Sequence, residues 1–402
     1  MIRGVILSLM VSAYSLLPLH GNAAVEDPFP YLTNIWFVDR SYGWMLGFRD
    51  GGGSVIYQTT DGGRNWSEQY QTSEGLSSVR FANQQIGWAV GNSGTVLHTS
   101  NGGLTWEDQS SGTNALLTGL AILDPRTAWV SGAHSTLLST TDGGKSWQRK
   151  ALLGADLHIS DVVFADKQFG WAIGYGTIFA TSDGGKSWSL SSSGEWKQLS
   201  SVRFVNHSDG WIAVGPVLLK STDGGKTLRE IVPPSQGNIG AICFIDASNG
   251  WLVKGRAEQG DAAHIRGLEK LSSETFILAT NDGGLTWREV LHLHSDKDSS
   301  ATVHSIFFID KLNGWAVGKN DLILRTEDGG KHWAKIDLSV PKRSRNSSQK
   351  RETASQAIDY SGARYHSSAQ GDLPRPIRWV LASRGRLTPN SSIATSTLET
   401  IR

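Results

Sequence analysis

An all-β array of seven repeats, each supplying four short strands, is the fold class that this sequence predicts, and three observations predict it. The segment Thr141-Asp142-Gly143-Gly144-Lys145-Ser146-Trp147 has close copies at Asp61-Gly62-Gly63, Asn101-Gly102-Gly103, Asp183-Gly184-Gly185, Asp223-Gly224-Gly225, Asp282-Gly283-Gly284 and Asp328-Gly329-Gly330, with successive first residues 40, 41, 41, 40, 59 and 46 apart. A period near 40 marks stacked supersecondary units. Upstream of each copy lies a second signature, an apolar run and polar turn ending in Gly-Trp or Ala-Trp, at Trp44, Trp88, Trp129, Trp171, Trp211, Trp251 and Trp315. No 3.6-residue apolar period runs through the units, which excludes leucine-rich and helical repeats.

Residues 1–24 carry Arg3, an apolar run from Gly4 to Leu19 and the small residues Gly21-Asn22-Ala23-Ala24, the pattern of a secretory signal cut after Ala23. About 16 apolar residues are short for a membrane span. No Cys stands at the cleavage region to carry a lipid anchor.

Residues 25–340 hold the seven repeats. Each begins with an apolar strand, A, such as Ile35-Trp36-Phe37 or Val79-Arg80-Phe81, and strand B starts at the Gly-Trp pair. Strand C precedes the Asp-Gly-Gly turn, as in Thr95 to Thr99, and strand D follows it, as in Trp106 to Gln109. Four strands per repeat fit a blade of a β-propeller, in which radial closure leaves little exposed edge. A seven-bladed β-propeller follows.

In the turn itself a short acceptor side chain closes the backbone and two glycines accept positive φ without a Cβ penalty. An aromatic anchor follows five residues later, at Trp66, Trp106, Trp147, Trp188, Trp287 and Trp333, with Leu228 as the exception. Asn101 keeps the acceptor oxygen but lacks the charge that catalysis or Ca²⁺ binding needs. Asp61, Asn101, Asp142, Asp183, Asp223, Asp282 and Asp328 are therefore read as structural, and neither a metal nor a cofactor is expected.

The chain has 46 Gly, 16 Trp and 19% charged residues, suited to tight turns and repeated aromatic anchors. A net charge of +1 gives no electrostatic reason to expect nucleic acid. Cys243, the only cysteine, lies in the apolar run Ala241 to Ile245 and reads as core. Residues 341–402 drop the repeat and carry 11 Lys and Arg against 4 Asp and Glu, a basic tail predicted to be disordered. Lys342-Arg343-Ser344-Arg345 in it suits an acidic surface or a peripheral association with anionic lipid.

In the usual propeller the C–D turns lie on the lower face, and ligands bind the upper face formed by the B–C and D–A loops, so irregularity there is informative. Repeat 6 has the largest excess, a B–C loop over Lys254 to Glu274 with Arg256 and Arg266, and Glu195-Trp196-Lys197 is an irregular D–A connection. Arg80 and Arg203 stand in innermost strands where other repeats have Ala, Val, Cys or aromatic residues, an arrangement that offers an anion or carboxylate site. The binding candidates are thus Arg80, Arg203, Trp196, Lys197, Arg256 and Arg266. His292-x-His294 with His304 has metal-like spacing, but no acid or thiol stands at ligand spacing, so these read as a solvated D–A loop.

The turn resembles the Asp-box, or BNR repeat, of sialidases and related propellers. The double signature, F-x-(D/N)-x-x-x-G-W with T-x-D-G-G-x-x-W over residues 31–338 behind an export signal, resembles the photosystem II stability and assembly factor family. That resemblance implies a periplasmic or thylakoid-lumen propeller without catalytic chemistry, expected as a monomer, that binds a newly made reaction-centre precursor. The competing class is an exported glycoside hydrolase sharing Asp-boxes. No Arg-Ile-Pro segment of a sialidase is present, and no pair of acids can be nominated for the two carboxylates, about 5 to 9.5 Å apart, that glycosidases require.

Overall fold

The computed structural model describes residues 31–48, 53–152, 157–194, 199–255, 274–294 and 302–338. The expected signal segment and basic tail lie outside them. Seven four-stranded antiparallel sheets form seven blades, each built from four consecutive strands. The innermost strands are Tyr31–Phe37, Leu76–Phe81, Leu117–Asp124, Ile159–Phe164, Ser201–Phe204, Asn238–Phe244 and Val303–Phe308. Each of them packs against the innermost strands of both neighbouring blades, including blade 7 against blade 1, so the ring closes. Outer strands are shorter than the sequence pattern suggests, down to Glu107–Asp108 in blade 2. Blade 6 instead lengthens, with strands Gly250–Gly255, Glu274–Thr280 and Arg288–His294.

The hydrophobic cores lie between blades rather than within them. One cluster, for example, joins Trp44, Leu46 and Ile56 of blade 1 to Leu76, Val79 and Phe81 of blade 2. Each Gly-Trp pair has a steric origin. A Cβ on Gly43 would sit 2.5 Å from the Phe37 ring, and the same clash recurs between Gly210 and Phe204 or Gly250 and Phe244. Glycine lets the strand A Phe lie flat across strand B. In blade 3 the Phe is replaced by Ile122, and there the glycine is replaced by Ala128.

In five blades the strand B Trp then stacks on the Phe of the next blade, while Trp129 meets Phe164 tilted by 32° at 5.2 Å and Trp88 packs with Ile122 of the blade that lacks the Phe. Trp44 on Phe81, Trp171 on Phe204, Trp211 on Phe244, Trp251 on Phe308 and Trp315 on Phe37 are near-parallel, with centroids 3.5 to 3.7 Å apart. The turn Trp meets the same Phe edge-on, as Trp106 does Phe81 at 5.7 Å and Trp333 does Phe308 at 5.9 Å. Face and edge contacts together suit the quadrupole of each ring. The stacked indoles also donate across the junction: Trp44 Nε1 to Gly102 O at 3.1 Å, Trp171 to Gly224 O at 2.8 Å, Trp211 to Gly283 O at 3.0 Å, Trp251 to Gly329 O at 3.2 Å and Trp315 to Gly62 O at 2.9 Å. The acceptors are carbonyls of the next blade's glycine turn. Between blades 2 and 3 a side chain substitutes: Gln109 Oε1 accepts from Trp88 and Trp147, both at 3.2 Å, while its Nε2 donates to Gly143 O at 3.0 Å.

Candidate functional site

The acidic residues of the glycine turns spend their oxygens locally. Thr140 Oγ1 donates to Asp142 Oδ1 at 2.7 Å, Ser146 N donates to the same oxygen at 3.1 Å, and Ser146 Oγ donates to Oδ2 at 2.6 Å. Gly143 and Gly144 adopt φ of 79° and 83°, a conformation few L residues tolerate. Donors that favour the charged form, Ser146 foremost, hold the Asp142 carboxyl far below its ordinary range, and the hydroxyl and amide of Thr227 hold Asp223 down at about 2. Asn101 makes the same turn, accepting from Thr105 N at 3.0 Å and donating its amide to Thr105 Oγ1 at 2.8 Å. These carboxylates hold their own turns closed and offer little acceptor capacity outward.

The first glycine amide of each turn donates to its blade's A–B turn, as Gly62 N does to Ser41 O at 2.8 Å and Gly283 N to Ser248 O at 2.8 Å, so A–B and C–D turns share one face. The B–C and D–A connections leave the opposite ends of the strands. Arg80 and Arg203 are each one residue from the A–B end of their innermost strand, nearer the glycine-turn face than the opposite mouth.

Both belong to a belt. In all seven blades one residue of the innermost strand pairs with the strand B Trp: Trp36, Arg80, Ala121, Val163, Arg203, Cys243 and Phe307. Around it the ring is knit by bonds to the neighbouring blade. Trp36 Nε1 donates to Phe81 O at 3.0 Å and Arg203 Nε to Phe244 O at 3.3 Å, while Cys243 Sγ, 4% exposed, accepts from Phe308 N at 3.3 Å. Burial raises the Cys243 thiol.

Arg80 breaks this pattern. Its guanidinium turns back, donating through Nη1 to Asn34 Oδ1 at 2.8 Å and to its own Val79 O at 2.9 Å, and lies 4.7 Å over the Trp36 ring. Asn34 Oδ1 also accepts from Val79 N at 3.2 Å. The equivalent position in blade 4 is Asp161, which accepts from Val162 N at 2.9 Å and, across the junction, from Val202 N at 3.3 Å. Burial pushes Asp161 up to about 6 against the opposing pull of Arg80 and Arg203. Burial likewise draws Arg80 down to about 10, leaving it charged at neutral pH, with Arg203 as the repelling neighbour and Asp161 as the attracting one. Two cations and one carboxylate from blades 2, 4 and 5 thus act on one another across the inner ring.

Among the described residues, no carboxylate lies within ion-pair distance of Arg80 or Arg203. Each keeps part of its surface open although protein atoms surround it, and Arg203 donates through a single nitrogen. A planar fork with unspent donors suits a carboxylate or phosphate ligand. Apart from Asp124 in its turn at the A–B end, Asp161 is the only acid on the seven innermost strands. The sequence reading had no signal for Asp161, because its role depends on facing blades far apart in the chain.

Trp196, Lys197, Arg256 and Arg266 lie outside the described residues. Lys254, expected at the start of the repeat 6 loop, is a strand residue: its side chain is buried and Nζ donates to Pro233 O at 3.1 Å and Ser235 O at 2.8 Å. Both expected ends of that loop, Lys254 and Glu274, thus fall in the strands Gly250–Gly255 and Glu274–Thr280, and residues 256–273 lie outside the described residues. His292 and His294 are likewise on a strand, the outermost of blade 6, whereas His304 sits on the innermost strand of blade 7 with Nδ1 3.0 Å from Leu32 O.

A photosystem II stability/assembly factor HCF136, chloroplastic, from Oryza sativa subsp. japonica is 35% identical over 71 residues, a match spanning 17% of this chain and 17% of that protein. Among solved structures, one described as YCF48 bound to D1 peptide aligns with a TM-score of 0.56 at 20% identity, covering 74% of this chain and 93% of that one. A streptogramin B lyase aligns with a TM-score of 0.57 at 12% identity, covering 76% and 95%, so likeness at this level shows the propeller alone. The pattern of one family, Photosynthesis system II assembly factor YCF48, matches residues 24–112, 152–236 and 267–373, well over half the chain. With its seven-bladed ring and paired strand and turn signatures, this chain belongs to that photosystem II assembly factor family.

Proposed function

We propose that this chain is an exported, non-enzymatic scaffold that captures a segment of a membrane-protein client, a photosystem II reaction-centre precursor, on the propeller. The observation that carries this reading is the pair of inner-ring guanidiniums, Arg80 and Arg203, charged, partly open and without a carboxylate at ion-pair distance among the described residues. A peptide carboxylate or acidic side chain matches their chemistry. That a solved member of the family holds a D1 peptide supports the choice of a polypeptide client. Trp196, Lys197, Arg256 and Arg266, outside the described residues, are proposed to extend that surface. A rigid ring lowers the ordering cost of such capture.

The hydrolase alternative is disfavoured by chemistry. A glycosidase needs two carboxylates facing a sugar, and the inner ring supplies Asp161 without a second acid among the described residues. Export rests on the N-terminal pattern, and no described helix is long and apolar enough to cross a membrane.

The test is binding of a labelled D1 peptide to the full chain, read by fluorescence anisotropy. Arg80→Ala with Arg203→Ala should weaken binding at least about tenfold, since bonds to charged groups are each worth about 1.5–3 kcal/mol. Equal binding by both forms rules out the inner-ring site, and turnover of sugar substrates with no peptide retained would instead support the hydrolase. N-terminal sequencing of the exported protein should begin near Ala24.

A further inference from the structure

The two histidines that the sequence leaves without an acidic partner acquire one in the fold. Glu274 opens the middle strand of blade 6 that follows the insertion, and antiparallel register sets it directly opposite His294, with Phe276 opposite His292. His292 and His294 alternate on the outermost strand, so both point to one side of the sheet. His294 Nδ1 lies 3.4 Å from Glu274 Oε1, and His292 Nε2 lies 3.9 Å from the same oxygen. The three ligand atoms fall within 4.8 Å of one another.

We propose that Glu274, His292 and His294 form a binding site for a divalent transition metal of the zinc class at the outer edge of blade 6. An ion pair requires one imidazole for one carboxylate, whereas here two rings bring a nitrogen to a single oxygen, the convergence a shared cation requires. Zinc holds His nitrogen and carboxylate oxygen at about 2.0–2.2 Å in a tetrahedron. Its ligand atoms therefore stand roughly 3.3–3.5 Å apart, the separation that His294 and Glu274 already have; His292 closes the remainder by a small swing about its side-chain bonds.

Two further contacts pre-orient the ligands. The His292 ring stacks on Phe276 with centroids 4.3 Å apart, which fixes its plane. Its other nitrogen, Nδ1, lies 4.0 Å from Glu289 Oε1, so Nε2 faces the proposed metal while a carboxylate stands behind the ring. Outer carboxylates of this kind set the tautomer and raise the basicity of metal-bound imidazoles. With imidazole and carboxylate donors and no thiolate, the set suits zinc, nickel or copper rather than an iron–sulfur centre. Three protein ligands leave a fourth position for water or for a side chain of a bound partner.

The test uses the untagged full chain. Zinc is titrated in competition with a chromophoric chelator, and cobalt is added as a spectroscopic substitute. The wild type should bind one zinc per chain, with cobalt giving the intense visible bands of four- or five-coordination. His292→Ala with His294→Ala should weaken zinc binding at least a hundredfold, Glu274→Gln less so, and Glu289→Gln about tenfold, with the tryptophan emission of the ring unchanged. Equal zinc affinity in the wild type and the double variant, or cobalt showing only the weak bands of a six-coordinate aquo ion, would overturn the proposal.

Discussion

One residue along the innermost strands separates two regions of very different regularity. The position that packs between blades is Phe in six of the seven, the strand B Trp recurs in all seven and the turn Trp in six. The position before it runs Trp36, Arg80, Ala121, Val163, Arg203, Cys243 and Phe307, with Arg alone occurring twice. Both sit in the same strands and the same register, so the difference is not one of backbone. Strand alternation turns the two sets to opposite faces of each innermost strand. Although Trp36, Ala121, Val163, Cys243 and Phe307 of the second set also pack in clusters between blades, that set is the one that carries the two arginines. The junction set is constrained by a stacking geometry that every blade needs, whereas the inner set is free to differ and collects the charges.

The largest test of that division is Trp211→Ala set against Arg203→Ala. Removing the buried Trp211 ring deletes its stack on Phe244 and its bond to Gly283 O, and should cost about 3–5 kcal/mol of unfolding free energy in denaturant titrations. Arg203→Ala should cost no more than about 1 kcal/mol while impairing peptide binding. Comparable losses from the two would erase the distinction between scaffold and inner ring.

A second test rebuilds the exceptional junction. Ile122→Phe alone drives a ring against the Cβ of Ala128 and should destabilise by about 1–3 kcal/mol. Adding Ala128→Gly should recover much of it, giving a coupling of about 0.5–3 kcal/mol in a double-mutant cycle. Additive effects would mean that the Phe–Gly pairing of the other blades is incidental.

Third, Asp161 gives the inner ring a pH signature. In the native state its pKa is about 6 against an ordinary 3.8, so between about pH 4 and 6 the folded protein keeps a proton that the unfolded chain has released. Stability from this group therefore falls as pH rises through that window. The stability difference between wild type and Asp161→Asn should change across the window and level off above it. Below about pH 6 the loss of this negative charge should also tighten anionic-peptide binding, and a flat profile would place Asp161 outside the site. The smallest effect is expected of Asp142→Asn, which keeps the turn's acceptor as Asn101 does naturally, so the denaturation midpoint and peptide binding should both stay near wild type.

The parts legible in the sequence are those that repeat. A period of 40 and two signatures were enough for blade number, strand order and the placing of the turn tryptophans, because each blade solves the same packing problem. The pairing of Phe with Gly was also written there, visible in retrospect where Ile122 and Ala128 depart together. What stayed hidden depends on partners distant in sequence. Gln109 bridging two indoles and a glycine turn, Asp161 reaching blade 5, and Glu274 arriving opposite His294 are all set by register across or between sheets. Reading His292 and His294 as a loop followed from the same limit, since the strand they extend is fixed by pairing with Glu274 to Ala279.

The sheets are each drawn from one unbroken stretch of chain, and the ring is shut by Trp315 lying on Phe37 and donating to Gly62 O, 253 residues away. Among the described residues no strand is exchanged across that seam. Every sheet can thus complete its own hydrogen bonding during synthesis, while the circle itself can form only once the last blade exists. A chain stopped after blade 6 would present two raw aromatic faces at once, the outer side of blade 6 and the Phe37 side of blade 1, each shaped to receive a blade. Such fragments should associate end to end into open arcs or larger rings, so the risk carried by this architecture lies in interrupted translation rather than in weak blades.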